Sequence, residues 1–485
     1  MRVVRRPERF VADKRRVITR LFLPAKEEHL KSVLDRVLGL SDADVSHLLS
    51  EVVADFSTRH RDIMGAFEAH YDMVREHLDD RPVSRERRRL IGAYFTKEYS
   101  VEAAALFNPS IVPHPDQSGL PPGACRIIVS LRVTGEGHVS SIGFRSGMID
   151  AAGEITIDPA SRYVTTPEII STLVYDKHTF DLKLSEMGVH NDISEIVLEN
   201  VPPKFTADDL KQAIENLRRR SIAPAIIRET VDAIGWLARS NYVAVFPPDC
   251  AVSEMVIFPV SENESRGIED ARFVRFVDDD EAVMYYATYT AFNGFEVLPQ
   301  MIATPDFRSF RISTLNGECA ANKGMALFPR KLDGLYTSIS RLDGENLYLL
   351  QSDNIQFWNT AKKIRGPQYP WELFQIGNCG SPIETDQGWL LLNHGVGPMR
   401  RYTVGVDLLD KKDPSLVIAR LDEPILIPEE HERDGYVPNV AYSCGAMVHN
   451  DQLIIPYAMS DSVAGIATLS LPELMAQLSR SRIRT

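Results

Sequence analysis

Two acidic side chains stand together at Glu269-Asp270, just ahead of a strand-like run and flanked by Arg266 and Arg272. A carboxyl that keeps its proton in such a place can act as a general acid, delivering that proton to an oxygen whose bond to carbon is breaking. Basic residues stand near other strand ends: Lys323 before the run from Met325, Arg341 after its return strand, and His394 after the apolar stretch Trp389 to Leu392. Lys, Arg and His side chains together can hold a phosphate through charge-assisted hydrogen bonds. Taken singly, each has an ordinary structural use: a turn for the Glu-Asp pair, a satisfied imidazole for His394, a solvated surface for Lys323. The chemistry therefore requires a fold that gathers them.

Competing chemistries find little footing. There is no His-Glu-x-x-His, no Walker glycine loop and no Gly-x-Ser-x-Gly, and Gly135-Glu136-Gly137 lacks both a third glycine and a following helix. Neither a metal nor a nucleotide cofactor is expected. The five cysteines, Cys125, Cys250, Cys319, Cys379 and Cys444, are scattered without a C-x-x-C pair, which argues against disulfides or zinc and fits a reducing cytoplasm. With 54 Lys and Arg against 67 Asp and Glu, the formal charge is −13, so nucleic acid is not an expected partner. No stretch approaches the roughly 18 to 20 apolar residues that span a bilayer, and mean hydropathy is −0.16. The cations from Arg2 to Arg20 precede no long apolar run, so they read as a solvated or partner-facing arm, not a secretory signal.

The elements that would position these residues come in two kinds. From about residue 26 to 100 apolar residues recur at helical spacing: Phe67, Tyr71, Val74 and Leu78 share one face, and Ser41-Asp42-Ala43-Asp44 offers an N-cap. Residues 1–100 therefore read as an α-helical N-terminal module, with 101–485 as the catalytic domain. Inside that domain, Thr206-Ala207-Asp208-Asp209 has capping-box logic ahead of Leu210, Ile214 and Leu217, marking a helical insertion at about 178–240.

The remainder is mainly β and repeats. Units begin at Ala271, Met325, Gly380 and Gly445, with turns at Asp278-Asp279-Asp280, Asp333-Gly334, Gln387-Gly388 and Asn450-Asp451. The starts lie 54 to 65 residues apart, room for about four short strands each. With the strand block near 126–175 as another unit, the count is five, which predicts a five-bladed β-propeller; a double β-sandwich is the structural alternative. A propeller would bring equivalent strand ends to one central funnel suited to a ligand with many hydroxyls.

A chain of motifs in order resembles glycoside hydrolase family 130: Gly267-Ile268-Glu269-Asp270-Ala271-Arg272, Tyr286-Ala287-Thr288-Tyr289, Ala326-Leu327-Phe328-Pro329, Gly388-Trp389-Leu390-Leu391 with His394-Gly395-Val396, and Tyr436-Val437-Pro438-Asn439-Val440 with Ser443-Cys444-Gly445. The likeness runs from about Asn108 to Leu471, outside the insertion. It implies a five-bladed propeller acting on β-mannosides, with Asp270 as general acid working through a sugar hydroxyl. It also implies a phosphate site of Lys323, Arg341 and His394, and substrate contacts from Asn108, Arg132, Glu269, Arg272 and Asp461. Three positions depart from the family pattern: Ala271 replaces a Pro, Gln375 stands where many phosphorylases carry Lys, and Gly324 where some relatives carry Asn.

The expected activity is inverting phosphorolysis of a β-mannosidic bond, giving α-mannose 1-phosphate, with oligosaccharide and inorganic phosphate as partners. An inverting β-1,2-mannosidase, for which Gln375 is the argument, and a non-catalytic carbohydrate-binding propeller are the alternatives. The helical module and the insertion could cap the funnel or serve as contacts, including those of a homo-oligomer.

Overall fold

The structure, a computed structural model, describes residues 1–78, 82–170, 174–218, 224–294 and 297–483. Four helices, Glu27–Leu38, Asp42–Phe56, Ile63–Val74 and Arg85–Tyr94, occupy the region of helical periodicity. Ser41 caps the second as its spacing suggests, its hydroxyl accepting from the Asp44 amide at 3.2 Å. Phe67 and Val74 are buried on the expected face, in a core shared with Leu34, Leu49, Leu90 and Ile91. Two of these helices meet at Gly92, where a Cβ would stand 1.8 Å from the Phe67 carbonyl oxygen; any larger residue would part them.

The helices do not account for the whole of residues 1–100. Val17–Leu21 pairs antiparallel with Thr96–Ser100, and Val4–Phe10 pairs antiparallel with Val463–Ser470, almost at the other end of the chain. The basic arm is thus a strand, and several of its cations are not solvated. Arg5 pairs with Glu432 at 3.0 Å and Glu429 at 2.7 Å, Arg6 with Glu154 at 2.5 Å, and buried Arg16 with buried Glu102 at 2.7 Å.

The rest is mainly β, in five units of antiparallel strands. The first holds Ala105–Pro113, Cys125–Thr134, Ser140–Ile149 and Ile155–Ile157. It starts some twenty residues ahead of the expected strand block, because Asn108-Pro109 lies within a strand and does not end one. The second holds Gly267–Val277, Val283–Phe292, Val297–Thr304 and Ser309–Thr314, extended by Tyr242–Val245 and Glu168–Ile170. The third runs from Ala326–Leu327 to Thr360–Arg365 and the fourth from Gln375–Asn378 to Val417–Arg420. The fifth combines Ala441–Tyr442, Met447–His449, Gln452–Met459 and Val463–Ser470 with the N-terminal Val4–Phe10. One parallel bridge, Gly267 to Ser140, joins the first two units into a single sheet. Each unit packs on the next, and strands of the fifth touch Ala105–Pro113 of the first. The turns at Asp333-Gly334 and Asn450-Asp451 have both residues at positive φ, as tight hairpins of twisted strands demand.

The insertion is helical. Lys177–Glu186, Asp192–Glu199, Ala207–Arg218 and Pro224–Arg239 share a core with Phe180, Leu184, Val197, Leu210 and Ile234. Thr206 and Asp209 make the reciprocal cap, at 3.3 and 2.8 Å. No described helix is long and apolar enough to cross a membrane.

The N-terminal strand supports more than its own sheet. Glu432 is buried, accepts from Arg5 and from the Tyr457 hydroxyl, and its carbonyl accepts from Ser460 at 2.7 Å. Burial opposes ionisation of Glu432, but the Arg5 and Tyr457 hydrogen bonds outweigh it and hold the carboxyl below its ordinary range. Its contribution is therefore present above the unfolded value of about 4.3 and lost as pH falls through the folded one. Arg5→Ala should cost about 1.5 to 3 kcal/mol at pH 7, with the deficit shrinking in acid. Urea melts at pH 7 and pH 4 check this; equal midpoints for variant and parent at pH 7 would refute the role.

Candidate active site

The strand Gly267–Val277 pairs Glu269 with Thr290 and then Arg272 with Thr288, so Asp270 and Ala271 face a single residue. This is a β-bulge, and Asp270 sits in it at φ +56°, a conformation Asp tolerates better than most residues. The neighbouring strand Ala105–Pro113 repeats the device. Its register skips from Phe107 to Ser110, and Asn108 lies at φ +48°. The two bulges aim their side chains at each other, and Asn108 Nδ2 donates to Asp270 Oδ1 at 2.7 Å. Ala271, in place of the family's Pro, is buried.

Around this contact lies a network of opposite charges. Arg132 donates to Glu269 Oε1 at 2.8 Å and stands 3.6 Å from Asp270 Oδ1. Lys323 donates to Glu269 Oε2 at 2.6 Å, so both oxygens of Glu269 are occupied. Arg272 is buried, donates to the Asp270 carbonyl at 2.9 Å, and reaches the Tyr442 hydroxyl with its other terminal nitrogen. Burial pushes the Asp270 carboxyl up, but Arg132, Arg272, the Asn108 hydrogen bond and Lys323 together hold it below the ordinary range. Asp461, at φ +52° in the turn after Gln452–Met459, goes the other way. Burial, then the charges of Asp270 and Glu269, push it up to about 7 against the pull of Arg132.

His394 and Arg341 extend the cluster on the far side of Arg272. The imidazole of His394 is buried, stacks on Tyr402 at 5.8 Å and meets Tyr442 edge-on at 4.9 Å. Its Nδ1 lies 3.1 Å from the Asn378 carbonyl oxygen. Burial, followed by the charges of Arg341 and Arg272, drives His394 well below its ordinary value. The ring is therefore neutral, with the proton on Nδ1 and a lone pair on Nε2. His394 joins the basic cluster as an acceptor, not as a third cation.

Gly324, at φ +87°, lies between these groups. A Cβ there would stand 3.9 Å from Asn378 Nδ2 and 4.0 Å from both Arg272 Nη2 and Arg341 Cβ. Gly324 thus presents no side chain beside the Arg272 guanidinium and the root of the Arg341 side chain. Several polar atoms around it are buried without a protein partner among the described residues: Arg272 Nε, Arg341 Nε, His394 Nε2, Arg132 Nε and Asn108 Oδ1. Buried orphans of this kind are costly and mark a place where a polar ligand belongs. Gln375 is close by, its amide 3.4 Å from the Tyr402 hydroxyl.

The structure thus brings Asn108, Arg132, Glu269, Asp270, Arg272, Lys323 and Asp461 into one charge network, which His394 meets through Tyr442 and whose field, with that of Arg341, acts on the imidazole. Arg266 is exposed and takes no part. Tyr442, Tyr402 and Asn378 were not anticipated. Tyr442 directly precedes the Ser443-Cys444-Gly445 motif, which could have signalled it; no spacing distinguishes the other two. No group of three or more His, Cys, Asp or Glu among the described residues is placed to hold a metal.

The opposed shifts of Asp270 and Asp461 have a measurable signature. In the ligand-free protein a carboxyl should titrate near pH 7, followed by carbon-13 NMR, and Asp461→Asn should remove that transition. Because the folded value lies above the unfolded one of about 3.9, the stability cost of Asp461 grows as pH rises from about 4 toward 7 and levels off above it. Asp461→Asn should therefore melt above the parent at pH 8, by a margin that narrows at pH 5. A margin independent of pH would contradict the assignment.

A family profile described as β-1,4-mannooligosaccharide phosphorylase matches residues 250–480. A 1,2-β-oligomannan phosphorylase of Thermoanaerobacter sp. is 35% identical over 218 residues, covering 44% of this chain and 72% of that protein. A β-1,2-mannobiose phosphorylase of the same organism is 37% identical over 210 residues, 42% of this chain and 68% of that one. The β-1,2-mannobiose phosphorylase of Listeria innocua is 28% identical over 355 residues, 69% of this chain and 90% of the relative. The profile match spans the strand that carries the bulge at Asp270, Gly324 and the His394 stack, and with these relatives the chain belongs to glycoside hydrolase family 130.

Proposed function

We propose that the protein is an inverting phosphorylase of β-mannosides, yielding α-mannose 1-phosphate and a shortened acceptor. The observation that carries this reading is the set of buried polar atoms without a protein partner among the described residues, Arg272 Nε, Arg341 Nε and His394 Nε2, with Gly324 presenting no side chain beside Arg272 and Arg341. Two permanent cations suit a phosphate dianion, and the neutral imidazole suits the remaining hydroxyl of a monoprotonated phosphate. The five successive sheet units support a five-bladed propeller whose inner strand ends form the sugar site.

In the reaction, a phosphate oxygen attacks the anomeric carbon from the face opposite the glycosidic bond. The new C–O bond forms as the old one breaks, which inverts the anomeric configuration, and the departing oxygen takes a proton. Asp270 supplies that proton through a sugar hydroxyl. It is ionised in the empty site because Arg132, Arg272 and Lys323 surround it. A phosphate dianion beside Arg272 and Arg341 offsets those cations and raises the proton affinity of Asp270, so the nucleophile prepares its own acid.

Hydrolysis is the second reading, favoured by Gln375, whose amide adds no charge to the phosphate space. An inverting hydrolase needs a second, ionised carboxylate to activate water. Of those gathered here, Glu269 is tied at both oxygens by Arg132 and Lys323, and Asp461 holds a proton up to about pH 7. Phosphate needs no such base.

Manno-oligosaccharide should be consumed only with phosphate present and should release α-mannose 1-phosphate; equal consumption in phosphate-free buffer with free mannose as product would establish hydrolysis instead. Asp270→Asn should lower kcat by roughly 10²- to 10⁴-fold while sugar still binds. Arg341→Ala should raise the KM for phosphate by about 10- to 100-fold, the loss of one charged hydrogen bond.

A further inference from the structure

The helical insertion lies outside the catalytic cluster, yet it grips the connection that carries Lys323. That connection leaves the strand Ser309–Thr314 of the second unit and enters Ala326–Leu327 of the third. At its root every polar group of Thr314 is engaged. Lys183, from the insertion helix Lys177–Glu186, donates to the Thr314 hydroxyl at 2.8 Å and to its carbonyl at 3.2 Å. Asn241, just past the last insertion helix, accepts from the Thr314 amide at 3.3 Å. One turn beyond Lys183, Glu186 accepts from the Gly317 amide at 2.5 Å.

Lys183 is an unusual residue for a helix that only packs. It is 3% exposed, and no carboxylate salt-bridges it among the described residues. Burial pulls its ammonium down to about 7, with Glu186 the opposing charge. A buried ammonium without an ion pair costs stability, and an apolar residue of similar shape would serve packing better. Its donors are spent on Thr314, the residue from which the connection departs. The far end of the connection is equally fixed: Lys323 binds Glu269, and Asn378 donates to the Gly324 carbonyl.

We propose that Lys183 and Glu186 are positioning residues that set the 315–324 connection, and through it the Lys323 ammonium and the Gly324 backbone beside Arg272, for phosphate. This inference rests on the phosphorolytic reading above. The insertion is then a brace on one wall of the phosphate site, tying its performance to elements that never touch substrate.

The test combines local exchange with kinetics. Lys183→Met removes the donors while keeping the bulk, and should leave the melting temperature unchanged or higher. Amide hydrogen exchange in 315–324 should quicken while the strands of the third unit keep their protection. The KM for phosphate should rise about three- to tenfold with kcat changed less, and this effect should vanish in a Lys323→Ala background. Glu186→Ala should act in the same direction, and Glu186→Gln, which retains an acceptor oxygen, should restore the parental value. Phosphate dependence in the parent with an unchanged KM in Lys183→Met would overturn the inference. A parent indifferent to phosphate would remove the phosphorolytic reading instead. The brace would then stand or fall on exchange alone, and unaltered protection of 315–324 in Lys183→Met would remove it.

Discussion

Asp270 lies where three cations and one amide outweigh the cost of removing a carboxylate from water. Arg132, Arg272, Lys323 and Asn108 stabilise its charge, while the same burial, together with that charge, forces Asp461 to hold a proton up to about pH 7. The two acids are thus split by their surroundings into one ionised and one protonated partner, the usual route by which a site carries out proton chemistry near neutrality. On the proposed reading, an anion entering beside Arg272 and Arg341 alters that balance, so phosphate binding and proton supply would be coupled by electrostatics.

The backbone makes this balance attainable. Matching bulges in two adjacent strands put Asp270 and Asn108 in the left-handed region at the same level, so that side chains 162 residues apart in sequence meet at 2.7 Å. Two consecutive left-handed residues, Ser460 and Asp461, close the cluster from the fifth unit. That turn is held through Glu432 by the N-terminal strand. The chain's beginning and end are therefore joined in one sheet directly behind a site residue, and the stability of the outer strand bears on the geometry of the inner turn.

Much of this was legible in residue types. The Glu-Asp pair beside Arg272, the His after an apolar run and the five repeats each carry a local signal: strand alternation, paired turn residues, charged groups at strand ends. The N-terminal strand was not legible because the cations of Val4–Phe10 dominate its composition, and only their distant partners, Glu432 and Glu154, show that they are satisfied. The first unit begins ahead of the strand block expected near 126–175, because Asn108-Pro109 forms a bulge inside the strand Ala105–Pro113. The charge state of His394 could not be read from sequence either, since it depends on burial and on the charges of Arg341 and Arg272, which come from other units. Lys323 shows the same limit: its type suggests a free cation, and its partner Glu269 comes from another unit. Tyr402 stacks on His394 from the same unit, and Tyr442 meets the ring edge-on, a contact that only the packing of the fifth unit on the fourth creates.

On the phosphorolytic reading, a dianion binds beside Arg272 and Arg341 and draws a proton into the carboxylate cluster. Sulfate tests it directly, because it stays a dianion throughout the neutral range and cannot react. Calorimetric titration at pH 7 in two buffers of different ionisation enthalpy should show sulfate binding, weakened in Arg341→Ala and competitive with phosphate, accompanied by net proton uptake from solvent. Sulfate binding with no proton uptake, or binding indifferent to Arg341→Ala, would contradict the account.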